Sequence, residues 1–196
     1  MRRLEPVVLE GAHVRLEPLG PGHVADLAHA ATDPEVWRWM PVAAPTGEPQ
    51  MHAVVAALLE RAAAGVQVPF AQVAVETGRA VGATSYLDIA LDDGRIEIGW
   101  TWIGAPWWRT AINTEAKLLL LGHAFDTLRL NRVALKTDVR NERSQVAIAR
   151  VGGVREGVLR AHMIRPDGSL RDTVYFSILA SEWPEVRRRL RARLGV

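Results

Sequence analysis

IEIGWTWIGAPWWRTAINTEAKLLLLGHAF, residues 96–125, is the stretch on which the fold turns. Its first eight residues are rich in β-branched and aromatic side chains, the composition of a strand. Gly104 and Pro106 interrupt that pattern. From residue 112 the apolar positions Ile112, Ala116, Leu119, Leu120 and Leu128 recur at helical spacing. The expectation is a strand, a short loop and a helix over residues 112 to about 128. A helix start exposes unpaired N–H groups and the positive end of the helix dipole, so a phosphate fits there. An ordinary local reading stands beside it: Asn113 or Thr110 caps the helix, and Glu115 in the first turn offsets the dipole.

Upstream, residues 13–19 alternate apolar and polar side chains, a half-buried strand that Gly20-Pro21-Gly22 ends. Residues 23–40 carry apolar side chains at helical spacing. Residues 41–49 hold three prolines and a glycine, a flexible connection, and residues 51–65 read as a second helix closed by Gly65. Three β-rich runs follow at 67–76, 79–91 and 95–104, separated by the turn residues Thr77-Gly78 and Asp92-Asp93-Gly94. They read as an antiparallel meander. Downstream come a strand (132–139), a helix (141–151), the stop Gly152-Gly153, and a hairpin across Pro166-Asp167-Gly168. A last helix spans 181–194 with Ser181 as its cap. The order β-α-α-β-β-β-α-β-α-β-β-α predicts one α+β domain over residues 1–196, with about seven strands in one sheet.

Composition sets the outer limits. The 196 residues are 48% apolar and 23% charged, ordinary for one globular domain. A formal charge of +2 is too mild to argue for a nucleic-acid partner. The absence of cysteine excludes disulfides, cysteine metal sites and a cysteine nucleophile. Arg2-Arg3 has no apolar stretch behind it, so no signal peptide is expected. No apolar run is long enough to span a membrane, and a cytoplasmic location follows as an expectation. The five arginines of residues 187–194 read as the outer face of a helix with Val186, Leu190 and Leu194 inward.

Several chemistries lack their signatures. No Gly-x-x-x-x-Gly-Lys-Ser/Thr, Gly-x-Gly-x-x-Gly, Gly-x-Ser-x-Gly or His-Glu-x-x-His pattern occurs, and no metal site is expected. His123 is read as packing or capping within its helix. Two places remain. Asn141 and Ser144 lie three apart, so on a helix they share one face and can meet one ligand, or else Asn141 is simply an N-cap. Glu97 lies between Ile96 and Ile98, so it faces away from a core that takes the isoleucines. It is then either a solvated charge or a site residue.

The ordered runs 96–125, 130–160 and 168–183, with VRLEPLGPGHVADL at 14–27, resemble the GCN5-related N-acetyltransferases (the GNAT superfamily) and, within them, the RimJ/RimL-like group. The resemblance covers nearly the whole chain. It implies a GNAT fold: a central, mixed, mostly antiparallel twisted sheet flanked by helices, with acetyl-CoA as co-substrate. The family's loop Gln/Arg-x-x-Gly-x-Gly/Ala falls on Trp108, Ala111 and Asn113, so its glycines are missing here. By position, the backbone of Trp102 and Ile103 would pair with the pantetheine arm. The amides of Arg109, Thr110, Ala111, Ile112, Asn113 and Thr114 would cradle the pyrophosphate. Asn141 would contact the pantetheine, and Ser144 would lie near the thioester sulfur. Glu97 is the implied general base, through water, and Ser144 the proton donor to the thiolate, since the helix after the fifth expected strand lacks the tyrosine many relatives use. A backbone N–H on the fourth expected strand would hold the oxyanion. The acceptor is a small-molecule amine or a protein N-terminal amine, and a homodimer is plausible from the relatives. Trp37, Trp39, Trp100 and Trp107 line an acceptor cleft or belong to the core. The alternative, carried by the altered loop, is an impaired GNAT-fold module that binds CoA or acts as a regulatory scaffold.

Overall fold

Turn chemistry and strand composition produce the pairing that the pattern predicts. In the computed structural model, which describes residues 4–196, the strands are β1 (Leu9–Glu10), β2 (Val14–Pro18), β3 (Gln67–Ala74) and β4 (Arg79–Ala90). They continue as β5 (Arg95–Ile103), β6 (Arg132–Asp138), β7 (Val154–Ile164) and β8 (Leu170–Leu179). They form one sheet in the order β1-β2-β3-β4-β5-β6-β8-β7. Every pair is antiparallel except β5 and β6. The strand count is therefore eight among the described residues, not seven. The additional strand is the two-residue β1, too short to leave any alternation in the sequence.

Helices cover both faces. On one, α3 (Ala111–Gly122) and α5 (Trp183–Leu194) enclose Phe70, Tyr86, Ile96, Ile98, Leu120 and Ile178. On the other, α1 (Val24–Ala30) and α2 (Glu48–Ala63) pack Leu27, Met51 and Val55 against Ala71, Val73 and Trp102. Each large apolar side chain fully buried this way contributes about 1.5–3 kcal/mol of transfer free energy. The remaining helix, α4 (Glu142–Arg150), follows β6.

Three boundaries differ from expectation, each for a local reason. The helix expected to run to residue 128 is regular only to Gly122 and finishes in a π turn, His123–Thr127. The Tyr86 hydroxyl donates to the Leu120 carbonyl at 2.6 Å, and the Leu128 N–H reaches five residues back to His123. The last helix begins at Trp183 rather than Ser181. No side chain caps it, and Glu182 instead accepts the Leu179 N–H at 2.8 Å. Of residues 23–40 only α1 is α-helical. Asp33 caps a 3-10 turn, Pro34–Val36, and Pro34 prevents the helix from continuing. Val186 and Leu190 are buried as expected, whereas Leu194 is only half-buried.

The pairing of β5 with β6 is short. It joins Arg95 to Arg132, Ile96 to Val133 and Glu97 to Ala134, and then stops. Beyond that point β5 is bulged: Ala83 pairs with Trp102 and Ser85 with Gly99, so Trp100 and Thr101 together stand opposite Thr84. Trp100 sits in the left-handed region at φ 52°. Across the bulge β4 and β5 approach so closely that a Cβ on Gly82 would lie 2.2 Å from the Trp102 carbonyl oxygen. The second half of β5 therefore clings to β4 and leaves its other edge without a partner strand.

Candidate active site

The gap between the parted strands is a cavity of about 1430 Å3. It passes through the sheet, since its lining includes Ile98 and Leu135 from one core and Trp102 from the other. On the α3–α4 side its mouth is framed by Arg109, Thr110, Asn113, Thr114, Asn141 and Ser144. On the opposite side lie Glu97, Lys136 and Arg171, with Trp39 and Trp100.

The helix start at the mouth combines the two readings its sequence allowed. Thr110 is the N-cap: its hydroxyl donates to the Trp107 carbonyl (2.8 Å) and accepts the Ile112 N–H (3.4 Å). The first N–H groups of a helix have no carbonyl within it, and Thr110 answers only that of Ile112, leaving those of residues 111 and 113 for a ligand. Ile112 itself is core, and neither its side chain nor that of Ala111 reaches the cavity. The left-handed backbone of this loop is at Arg109, φ 62°, while Ala111 and Asn113 have no positive φ. The backbone conformation thus makes no demand for glycine at either place where the family pattern has one.

Trp102 and Ile103 are both at the cavity wall, with their carbonyls already engaged. The Gln72 amide donates to Trp102 O at 3.1 Å and the Trp108 indole to Ile103 O at 2.8 Å. Arg143 of α4 stacks 4.0 Å over that same indole, so Trp108 ties the loop before α3 to both β5 and α4. Asn141 is the N-cap of α4, accepting the Ser144 N–H at 3.1 Å, and it lines the cavity as well. The Ser144 hydroxyl has no protein partner among the described residues.

Glu97 is not a solvated charge. It is 2% exposed, and Lys136 on the neighbouring β6 pairs with it at 2.9 Å. Burial pushes its carboxyl above the usual range, which the Lys136 cation only partly offsets. Burial would lower Lys136, but the Glu97 carboxylate and the Tyr175 phenol outweigh it, so its ammonium is held more firmly than an ordinary one. Among the neighbours the structure decides between readings that the sequence left open. Trp37 is buried core, its indole donating to Ala31 O at 3.1 Å, and Trp102 rather than Trp100 packs inward. Glu115 does not offset the dipole from the first turn, where α3 has no acidic residue, because the helix starts at Ala111 and Glu115 is its fifth residue. It accepts the N–H groups of Ala12, His13 and Val14 at 2.9, 2.6 and 2.7 Å, fixing the turn between β1 and β2 onto α3.

Lys117, Lys136 and Arg171 were missed in the sequence. Lys117 is 6% exposed, lines the cavity and donates to Thr101 Oγ1 at 3.0 Å. Its signal was a single cation inside the leucine-rich run of α3. No group of three or more His, Asp or Glu side chains is placed to share a metal ion among the described residues. No helix among them is long and apolar enough to cross a membrane.

An unpartnered strand edge thus lies beside a parallel neighbour, with a helix N-terminus at one end and a buried carboxylate at the other, and the cavity between has room for an extended ligand. The chain belongs to the acetyltransferase (GNAT) domain family, which matches residues 13–154, and it is an N-acetyltransferase. It is 28% identical over 152 residues to the uncharacterized N-acetyltransferase p20 of Bacillus licheniformis, covering 78% of this chain and 84% of that one. A solved structure from T. thermophilus, provisionally named an acetyltransferase, is 40% identical with a TM-score of 0.89 over 98% of this chain and 100% of that one. Mycobacterium smegmatis RimJ, solved in complex with CoA-disulfide, shares the fold at 22% identity and a TM-score of 0.83, over 98% and 97% of the two chains.

Proposed function

We propose that this N-acetyltransferase takes its acetyl group from acetyl-CoA and passes it directly to a primary amine, with residues 1–196 acting as one catalytic domain. The observation that carries this reading is the unpartnered edge of β5 running from the bulge at Trp100 to the N-terminus of α3. An extended pantetheine arm fits such an edge as an added strand, at Trp102 and Ile103. The N–H groups of residues 111 and 113, with Arg109, Thr110 and Thr114 beside them, suit a pyrophosphate. The CoA derivative bound by RimJ supports the same choice of donor.

The chemistry needs a neutral amine, a held thioester and an accommodated thiolate. Glu97 takes the proton of the acceptor's ammonium through water, and Lys136 fixes the carboxylate that does so. A backbone N–H at the β5 bulge holds the carbonyl oxygen as charge develops on it. The Ser144 hydroxyl supplies a proton to the leaving sulfur. Most of the acceleration comes from holding donor and acceptor together in one cavity. Trp39, Trp100 and Trp107 at its wall suit an acceptor larger than a bare amine, and the likeness to the RimJ/RimL group favours a protein N-terminal amine. A cytoplasmic setting suits that acceptor. The exposed apolar side chains of the edge strand β7, Val154, Leu159 and Ile164, offer a surface for a homodimer.

Titration calorimetry with acetyl-CoA, followed by CoA release against peptide N-termini and small amines, tests the reading. Saturable binding with turnover on one acceptor class is expected. No binding at millimolar acetyl-CoA would instead favour a regulatory scaffold, and binding without turnover a CoA-binding module. Ser144→Ala is expected to lower kcat about a hundredfold or more, since a general acid contributes on this scale. Activity within twofold of wild type removes Ser144 from the mechanism.

A further inference from the structure

Only two of the chain's 24 lysine and arginine residues are lysines, and both line the one cavity described above. Their surroundings are opposite. Lys136 is held by the Glu97 carboxylate. Lys117, on the second turn of α3, has only a hydroxyl: Thr101 Oγ1 at 3.0 Å, itself 2.7 Å from Thr84 Oγ1. No carboxylate among the described residues compensates it. Glu115 on the same helix is committed to the β1–β2 turn, and His123 packs on Tyr86 further along. With burial as the cause, the Lys117 amine titrates at about 7 and is substantially neutral at physiological pH.

Chain direction places this amine near the transferred group. The helix N-terminus that suits the pyrophosphate follows β5, so an arm anchored there runs back along the strand past Ile103 and Trp102. Its thioester end then comes to the bulge of Trp100 and Thr101, and Thr101 is the residue that Lys117 touches. This step rests on the proposed donor.

We propose that Lys117 is an internal acetyl acceptor: in the absence of another amine, the enzyme acetylates its own Nζ within the donor cleft. The Nζ lone pair attacks the thioester carbonyl carbon, a C–N bond forms and the C–S bond breaks. The CoA thiolate leaves and takes up the proton that the nitrogen loses. The products are Nε-acetyl-lysine and free CoA thiol. Lys136 is spared because its ammonium, paired with Glu97, has no free lone pair.

The experiment is incubation of the purified chain with acetyl-CoA and no acceptor, read by intact mass and by peptide mapping. The sites to map are Lys117, Lys136 and the terminal amine. One acetyl group is expected, on Lys117, exceeding that on Lys136 by at least about a hundredfold, the scale of the difference in neutral fraction. The rate should rise with pH up to about 7 and then level off. Lys117→Met, which places an apolar side chain in the buried site, should lose the adduct while keeping a cooperative thermal transition. Denatured chain should lose the selectivity. No adduct despite calorimetric binding of acetyl-CoA, or equal labelling of all three amines, overturns the inference and leaves the donor assignment standing. Failure of acetyl-CoA to bind removes both.

Discussion

Glu97 and Lys136 illustrate how a site residue is made from ordinary strand positions. Each occupies an alternating position on its own strand, and the short β5–β6 pairing brings the two side chains to 2.9 Å. Burial makes the Glu97 carboxylate a stronger base than an exposed one, at the cost of ionising at higher pH. The proposed base must be deprotonated to act, so kcat/KM is expected to fall on the acid side at a pH above the ordinary glutamate range. Lys136→Met removes the cation that favours ionisation, and the acid limb should move to higher pH. Glu97→Gln should lower kcat about a hundredfold or more, with little change in acetyl-CoA affinity. A pH–rate profile of the three enzymes checks this, and an acid limb unmoved in Lys136→Met would separate Lys136 from the base. Sequence alternation was enough to turn Glu97 away from Ile96 and Ile98. It could not say whether water or another strand covered it, because that depends on β6, which lies more than thirty residues later in the chain.

At the scale of elements, α3 is held by more than its apolar stripe. The Glu115 carboxylate satisfies three backbone N–H groups of the turn between β1 and β2, and Gly11 leaves room for it: a Cβ there would lie 2.4 Å from Glu115 Cδ. Glu115→Ala would strand those donors in a partly buried setting and is expected to cost about 3 kcal/mol or more. Guanidinium unfolding of the variant measures it, and a loss below about 1 kcal/mol would mean that water satisfies the turn equally well. The boundaries of α3 show what was legible. Its start was readable because Pro106, Thr110 and the apolar spacing are local features. Its end was not, because the π turn is set by Tyr86, a strand residue that reaches the Leu120 carbonyl from across the core.

For the molecule as a whole, the buried Lys117 links stability to pH. Its pKa when folded, about 7, lies below the unfolded value of 10.5, so the unfolded chain binds more protons between these limits. Stability from this group is therefore least below pH 7 and rises as pH rises towards 10.5. The full span corresponds to roughly 4–5 kcal/mol. Lys117→Met removes the titration, so it should be the more stable protein at pH 7, with the gap closing by pH 10. Urea unfolding of both chains across that range checks it, and a gap that does not change with pH would place Lys117 in water. The sequence by itself determined seven of the eight strands, the main helices and their order, the family and the start of α3, because each rests on neighbouring residues and their periodicity. Only the tertiary structure decided that β5 parts from β6, that Glu97 is paired and buried, and that Lys117 meets a hydroxyl and no countercharge among the described residues. Those facts follow from the partners each side chain meets across the sheet, which no local pattern encodes.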